Sequence, residues 1–312
     1  MYLLRECDCN GYPPKGCDNK KMNKQTNLGF IGAGKVGTSL GKYFSSHNIP
    51  ISGYFSRTFS SAEYAAQSTS SSAFDSLSSL VRASDIIFVT VPDDLISSVW
   101  ENLSSLPSNT IKNKILCHCS GSLSSEVFSL SKKNGSEKYG IHTASVHPML
   151  AFSDKNVSCE TLSKAYFTIE GEPLALEKIK NILSVTKNKF QIVTAENKIR
   201  YHLACCFASN FFVASAAMAS QLFSFCGIDS IESLAPLMTE NVRNITEKGV
   251  ADSLTGPIER NDITTVNKHL SVLNDTDKQL YSLLSLKLLS IAQERHPNRS
   301  YTDLKNILEE DK

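Results

Sequence analysis

The sequence predicts an α/β domain built on a mainly parallel sheet, followed by an all-helical domain. Three observations carry that prediction. Short apolar runs alternate with amphipathic stretches from Asn27 to about Thr194, the pattern of strands joined by crossover helices. Some runs, Ile86–Val91 among them, are apolar without alternation, as strands covered on both faces are. Beyond Ala195 the strand signal stops, and helical patterns run to the C-terminus, interrupted at Pro236, the Thr255-Gly256-Pro257 turn and Pro297.

The expected strands are Leu28–Ile31, Ile51–Phe55, Asp85–Val91, Lys114–Cys119, His142–His147, Tyr166–Glu170 and Phe190–Val193. The serine-rich stretch Ser68–Ser79 holds little apolar material and is expected to form a surface loop and a short helix. Residues 1–25 are expected to be a disordered extension. Pro13-Pro14, Gly11 and Gly16 argue against a packed element there, no apolar core of signal-peptide length is present, and Met22 is a candidate start. The α/β domain is expected over 26–194 and the helical one over 195–312.

A chain of 312 residues is long enough for two domains, each burying its own core. Hydrophobic content of 41% and charged content of 20% are globular values. With 32 basic and 31 acidic side chains the net charge is +1, which gives no electrostatic reason to expect nucleic acid or an anionic membrane as partner. Nine cysteines lie singly or in pairs without a C-x-x-C; they read as free thiols acting as small hydrophobes in a reducing, cytoplasmic setting, and no metal site is expected.

From Tyr201 to Ile228 no residue is charged. The run is rich in Ala and Ser and holds His202, Asn210 and Gln221, which share one helical face. The expectation is a long helix buried on most sides with a polar stripe toward a cleft, rather than a membrane span. Together with Leu280–Ile291 it offers more apolar surface than a helical domain of this size buries alone, so a homodimer through these helices is expected.

The first strand runs into Gly32-Ala33-Gly34-Lys35-Val36-Gly37 and then a helix. A G-x-G-x-x-G in that context is the dinucleotide-binding turn of a Rossmann domain. Gly32 permits the tight turn, Gly34 lets a pyrophosphate approach the backbone, Gly37 lets helix pack on strand, and the helix N-terminus supplies N–H donors. At the end of the next strand an acid would select NAD; here Ser56 and Arg57 stand instead, suited to a 2′-phosphate, so NADP(H) is the expected cofactor. Val91 and Pro92, within Val89–Asp94, are expected to shape the same site rather than perform chemistry.

The segments LGFIGAGKVGTSLG, YFSRT, IIFVTVPDD, HCSGSLSSEVF, SVHPMLAF, YHLACCFASNFFVA and LTGPIERNDITTVNKHL cover the chain from Leu28 to Leu270. Together they resemble the Rossmann-like proteins that carry a DUF2520 helical domain, within the wider 6-phosphogluconate-dehydrogenase-like reductases. The resemblance implies a Rossmann domain, NADP(H) and a helical substrate and dimerisation domain. Some similar proteins serve as an alternative ketopantoate reductase in pantothenate synthesis, which makes reduction of ketopantoate to pantoate the first expectation. One departure is Asn261, where the related segment carries glycine; it is expected to alter only a helix start.

Reduction of a ketone needs a proton donor, an anchor for the charged end and dry surroundings. In similar hydroxyacid dehydrogenases and ketopantoate reductases a lysine and an asparagine project from the first long helix of the second domain. The matching positions here are His202 and Asn210, with Lys198 either a second donor or an exposed helix-start residue. Hydroxyacyl-CoA and prephenate dehydrogenases are similar in placing a serine and a histidine at strand ends, which points to Ser120 and His147. His147 and His202 therefore compete as acid/base, while His118 and His142, inside strands, read as structural. Thr255 and Gly256 open a helix whose N–H groups suit a substrate carboxylate; Arg260 either assists or forms a surface ion pair. Two other readings stand beside this one: an imine reductase or prephenate-dehydrogenase-like enzyme, and a non-catalytic NADPH-binding sensor.

Overall fold

A computed structural model describes residues 26–129, 140–228 and 231–310; the expectation for residues 1–25 lies outside them. The chain forms two compact units, Met1–Val213 and Ala214–Lys312.

The first unit holds an eight-stranded sheet in the order β3-β2-β1-β4-β5-β6-β7-β8. Its strands are β1 Leu28–Ile31, β2 Ile51–Phe55, β3 Ser72–Phe74, β4 Ile86–Val89, β5 Ile115–His118, β6 His142–Pro148, β7 Phe167–Gly171 and β8 Phe190–Ile192. β1 to β6 are parallel, β7 runs antiparallel to β6, and β8 is parallel to β7. The order reverses between β1 and β4, the switch point at which open α/β sheets bind ligands. The unbroken apolar runs have the predicted cause. Phe30 and Phe88 enter a core on one face with Tyr54, Leu40 and Phe44, while Ile31, Ile87 and Val89 enter the opposite core with Trp100 and Leu103.

The serine-rich stretch departs from expectation. It contains strand β3, flanked by helices Phe59–Ser68 and Leu77–Ala83. β3 is a short edge strand that pairs through its backbone, Gly53 with Ser72 and Phe55 with Phe74, so it needs little apolar side chain. Ser76 is not loop filler either: its hydroxyl accepts the Ser79 N–H at 3.2 Å and caps the following helix.

The uncharged run also departs from expectation. It forms two helices, Lys198–Ala208 and Asn210–Phe225, broken at Ser209, whose φ of −124° and ψ of −74° are not helical. It is not buried on most sides. Ile199, Phe207 and Phe225 are 65%, 61% and 80% exposed, because no other described element covers that face. By length and composition alone, the stretch Ala195–Phe225 is one that could cross a membrane.

The second unit is helical throughout its described residues, with a small core of Ile258, Val266, Leu270, Leu289, Ala292, Tyr301, Leu304 and Leu308. Asn261 ends the helix Pro257–Arg260 in the left-handed conformation, φ 59° and ψ 39°, which asparagine tolerates better than most side chains. Its substitution for glycine therefore falls at a helix end, next to Asp262, whose carboxylate caps the following helix by accepting the Thr265 N–H at 3.0 Å. Arg260 is exposed and lies 3.8 Å from Asp262, an ion pair on the surface.

Candidate active site

Two cavities open in the first unit beside the C-terminal ends of the parallel strands. The larger, about 570 Å³, is lined by the ends of β1 and β2, by Thr90, Val91 and Pro92 beyond β4, and by the glycine turn. The turn is as tight as the motif requires. Gly32 has φ +108°, and a Cβ there would lie 2.8 Å from the Thr90 carbonyl oxygen. A Cβ on Gly37 would lie 2.3 Å from the Gly32 oxygen and 2.4 Å from Thr90 Oγ1, so only glycine lets the helix Lys35–Ser46 approach. A Cβ on Gly34, by contrast, would meet nothing within 4 Å: the space faces outward, where a pyrophosphate would lie. Gly34 caps the helix without a side-chain hydrogen bond, so the first-turn N–H groups stay available.

Ala33, Ser56 and Arg57 line the same cavity with Thr58, Ser61 and Lys155, and none of its described lining residues is acidic. That set fits the 2′-phosphate of NADP better than a bare ribose diol. Lys35 is exposed and Val36 packs on the core, so these two, together with Gly37, shape the turn instead of lining the pocket.

The second cavity, about 370 Å³, brings together His147, His202 and Asn210, with Met149, Leu150, Cys205 and Cys206 among its other walls. His147 comes from the end of β6, His202 from the helix Lys198–Ala208, and Asn210 from just beyond the break at Ser209. The two imidazole centroids are 6.4 Å apart. Gly121 sits between them: a Cβ there would lie 2.7 Å from His202 Cδ2 and 3.0 Å from His147 Nε2.

His147 Nδ1 is 2.6 Å from the Tyr201 hydroxyl. Burial raises the phenol pKa, so the hydroxyl keeps its proton; with the hydroxyl as donor to Nδ1, the ring proton sits on Nε2. Burial first, then the nearby Lys198 ammonium and His202, lower the His147 pKa to about 4. At neutral pH the ring is therefore an uncharged hydrogen-bond donor.

Ser120 lies behind this wall. Its hydroxyl donates to Asp93 Oδ2 at 2.6 Å and accepts the Ser122 and Leu123 N–H groups at 3.2 and 3.0 Å. Those bonds commit it to holding the turn after β5, not to facing the cavity. Lys198 is not an exposed helix-start residue: it is 1% exposed, and its ammonium donates to the Ser120 carbonyl at 3.0 Å and to Ser145 Oγ at 2.7 Å. Desolvation lowers its pKa to about 8, with Glu170 and Asp93 opposing the shift. His118 is buried, with its pKa lowered to about 4 by desolvation, and bonds to the Ser124 carbonyl. His142 opens β6 and bonds to Glu172. Thr255 and Gly256 belong to the second unit, where Gly256, at φ +96°, precedes the helix Pro257–Arg260. Among the described residues no group of His, Cys, Asp and Glu has metal-binding geometry.

Asp93 (read only as part of the Val89–Asp94 segment), Tyr201 and Lys155 were not singled out from the sequence. The first two adjoin residues that were, Pro92 and His202; nothing local marks Lys155.

Two family models match the chain. Residues 27–120 match the family model described as NADP oxidoreductase, coenzyme F420-dependent, and residues 165–288 match DUF2520, a domain of unknown function. No curated protein matches the chain. A crystal structure of a Thermotoga maritima protein is 29% identical, covering 86% of this chain and 99% of that one, with a TM-score of 0.65. A Bacteroides fragilis protein described as a candidate NADP oxidoreductase is 24% identical, covering 85% of this chain and 98% of that one, at 0.69. The Plasmodium falciparum pyrroline carboxylate reductase with NADP bound is 16% identical over 86% of this chain and 97% of its own, at 0.56; it shares the fold. The chain is thus similar to NADP oxidoreductases of the coenzyme F420-dependent kind over residues 27–120 and to DUF2520 proteins over residues 165–288.

Proposed function

We propose that the protein is an NADPH-dependent reductase of a small 2-oxo acid, with ketopantoate the first substrate to try. The observation that carries this reading is the convergence of His147, His202 and Asn210 on one cavity of the unit that also holds the glycine-turn cavity. Gly32, Ala33 and Gly34 would hold the pyrophosphate, Ser56 and Arg57 the 2′-phosphate, and Val91 and Pro92 the wall beside the riboses. Bound there, NADPH supplies the hydride that reduces the carbonyl carbon.

The chain's own residues manage the oxygen. With its pKa near 4, His147 at pH 7 is charged in only about one molecule in a thousand. It serves as a neutral Nε2–H donor that stabilises the forming alkoxide. His202 delivers the proton, and Asn210 orients the oxygen by hydrogen bonding. Lys198 and Ser145 hold the Ser120 carbonyl, and with it the Gly121 turn between the two rings. We read the apolar faces of Lys198–Phe225 and Asp275–Arg295 as surfaces of self-association, and the proposal is a cytoplasmic homodimer rather than a membrane protein.

NADPH oxidation, followed by absorbance with ketopantoate, a panel of 2-oxo acids and a panel of cyclic imines, tests this reading. Turnover of an oxo acid is expected to fall about a hundredfold or more in His202→Ala. Turnover of imines alone would move the proposal to imine reduction. Tight NADPH binding without any turnover would leave a sensor.

A further inference from the structure

The loop that follows β6 carries a lysine into the nucleotide cavity from a part of the chain remote from the glycine turn. Lys155 lines that cavity alongside Ser56, Arg57, Thr58 and Ser61. Its position is fixed by the next residue. Asn156 Oδ1 accepts Lys42 Nζ at 2.6 Å and the Tyr64 hydroxyl at 3.1 Å, tying the loop to the helices Lys35–Ser46 and Phe59–Ser68 at once. The Lys155 ammonium lies 5.9 Å from the Tyr64 ring centroid, and Lys42 lies 5.3 Å from the same ring. The one acid of the loop, Asp154, is turned back on its own segment, accepting the Asn156 N–H and the Ser153 hydroxyl. Neither of those bonds engages the lysine, and among the described residues no ion pair to Lys155 is formed.

The location of Lys155 says which phosphate it meets. Ser61 and Tyr64 are three residues apart on one helix, hence neighbours on one face. Lys155, resting against Tyr64 and lining the cavity with Ser61, stands beside the helix that follows Ser56 and Arg57. Lys42, its companion over Tyr64, is seven residues into the helix that follows the glycine turn, about 10 Å along its axis from the pyrophosphate end. We propose that Lys155 is a second cation for the 2′-phosphate of NADP, facing Arg57 across the adenosine ribose, and that the Asn156 tether makes the loop after β6 a cofactor-selecting strap. Arg57 supplies a planar fork and Lys155 a point charge, so the two divide the phosphate oxygens between them. The inference rests on reading the larger cavity as the dinucleotide site.

Binding alone tests it, on the full-length protein and without turnover. NADPH and NADH are titrated by calorimetry against wild type, Lys155→Ala, Lys155→Arg and Asn156→Ala, with melting curves to confirm folding. Lys155→Ala is expected to raise the NADPH dissociation constant about tenfold to a hundredfold while leaving that for NADH within about twofold. Lys155→Arg is expected to keep the preference, and Asn156→Ala to lose part of it. Equal weakening of both nucleotides would assign Lys155 to the pyrophosphate and overturn the proposal, as would no change in either. Failure of the wild type to bind either nucleotide would bring down the dinucleotide reading itself, and this inference with it.

Discussion

The two cavities of the first unit are made of different materials. The larger is shaped by backbone: one glycine turn, one strand end beside it, and a helix brought close because Gly37 has no side chain to obstruct it. The smaller is shaped by side chains drawn from β6, from the helix Lys198–Ala208 and from Asn210, behind which stand Asp93, Ser120 and Lys198. Backbone makes a cradle whose shape does not depend on protonation, with Arg57 and Lys155 supplying its charge. Side chains make a site whose behaviour depends on charge, and burial has displaced the pKa values of His147, His118 and Lys198 together.

That contrast is sharpened most by substituting the glycines. Gly37→Val is expected to force apart the turn and Thr90, lowering the melting temperature by several degrees and abolishing NADPH binding, since overpacking a tight contact costs about 1–3 kcal/mol or more. Gly34→Ala, with no atom within 4 Å of the new methyl, is expected to melt like wild type and still bind NADPH poorly. If both variants melt alike, the cradle is not held by steric closeness and the contrast breaks.

Acid probes the other cavity. His118 and His147 titrate near 4 when folded and near 6.5 when unfolded. Between those values the unfolded chain takes up protons that the folded one refuses. Their contribution is complete above about pH 6.5 and is lost as pH falls toward 4, by about 2–4 kcal/mol per ring. Urea unfolding at a series of pH values checks this: His118→Asn should flatten the acid limb, and an unchanged limb would show the ring charges freely in the fold. The smallest expected effect belongs to Tyr201→Phe, which removes the hydroxyl bonded to His147 Nδ1. It should lower kcat about fivefold to tenfold with little change in KM, and equal rates would show that the tautomer needs no such support.

The same division of materials explains how far the sequence could be read. The glycine turn and the Ser56-Arg57 strand end are contiguous and carry their geometry in residue type, so their place in one cavity was legible in the sequence. β3 was hidden because an edge strand is specified by pairing, and Ser72–Phe74 shows no apolar alternation. His147, His202 and Asn210 were visible as isolated candidates at a strand end and on a helix, but their meeting was not. The Tyr201 bond to His147 and the Lys198 bond to Ser120 join segments separated by 54 and 78 positions, which no local pattern records. Lys155 was invisible for the same reason: its importance comes from Asn156, and that of Asn156 from Lys42 and Tyr64.

Gly121 carries a consequence for how this protein can change over generations. The gap between the two imidazoles is kept by the absence of a methyl group, and every other amino acid would insert one there. What must yield is the pair of rings rather than the main chain, so an alanine allele is expected to disturb the chemistry more than the fold. Selection for abundance would pass over it. Only selection for the reaction would remove it, so the permanence of this one glycine across descendants would record whether the chain's chemistry is still in use.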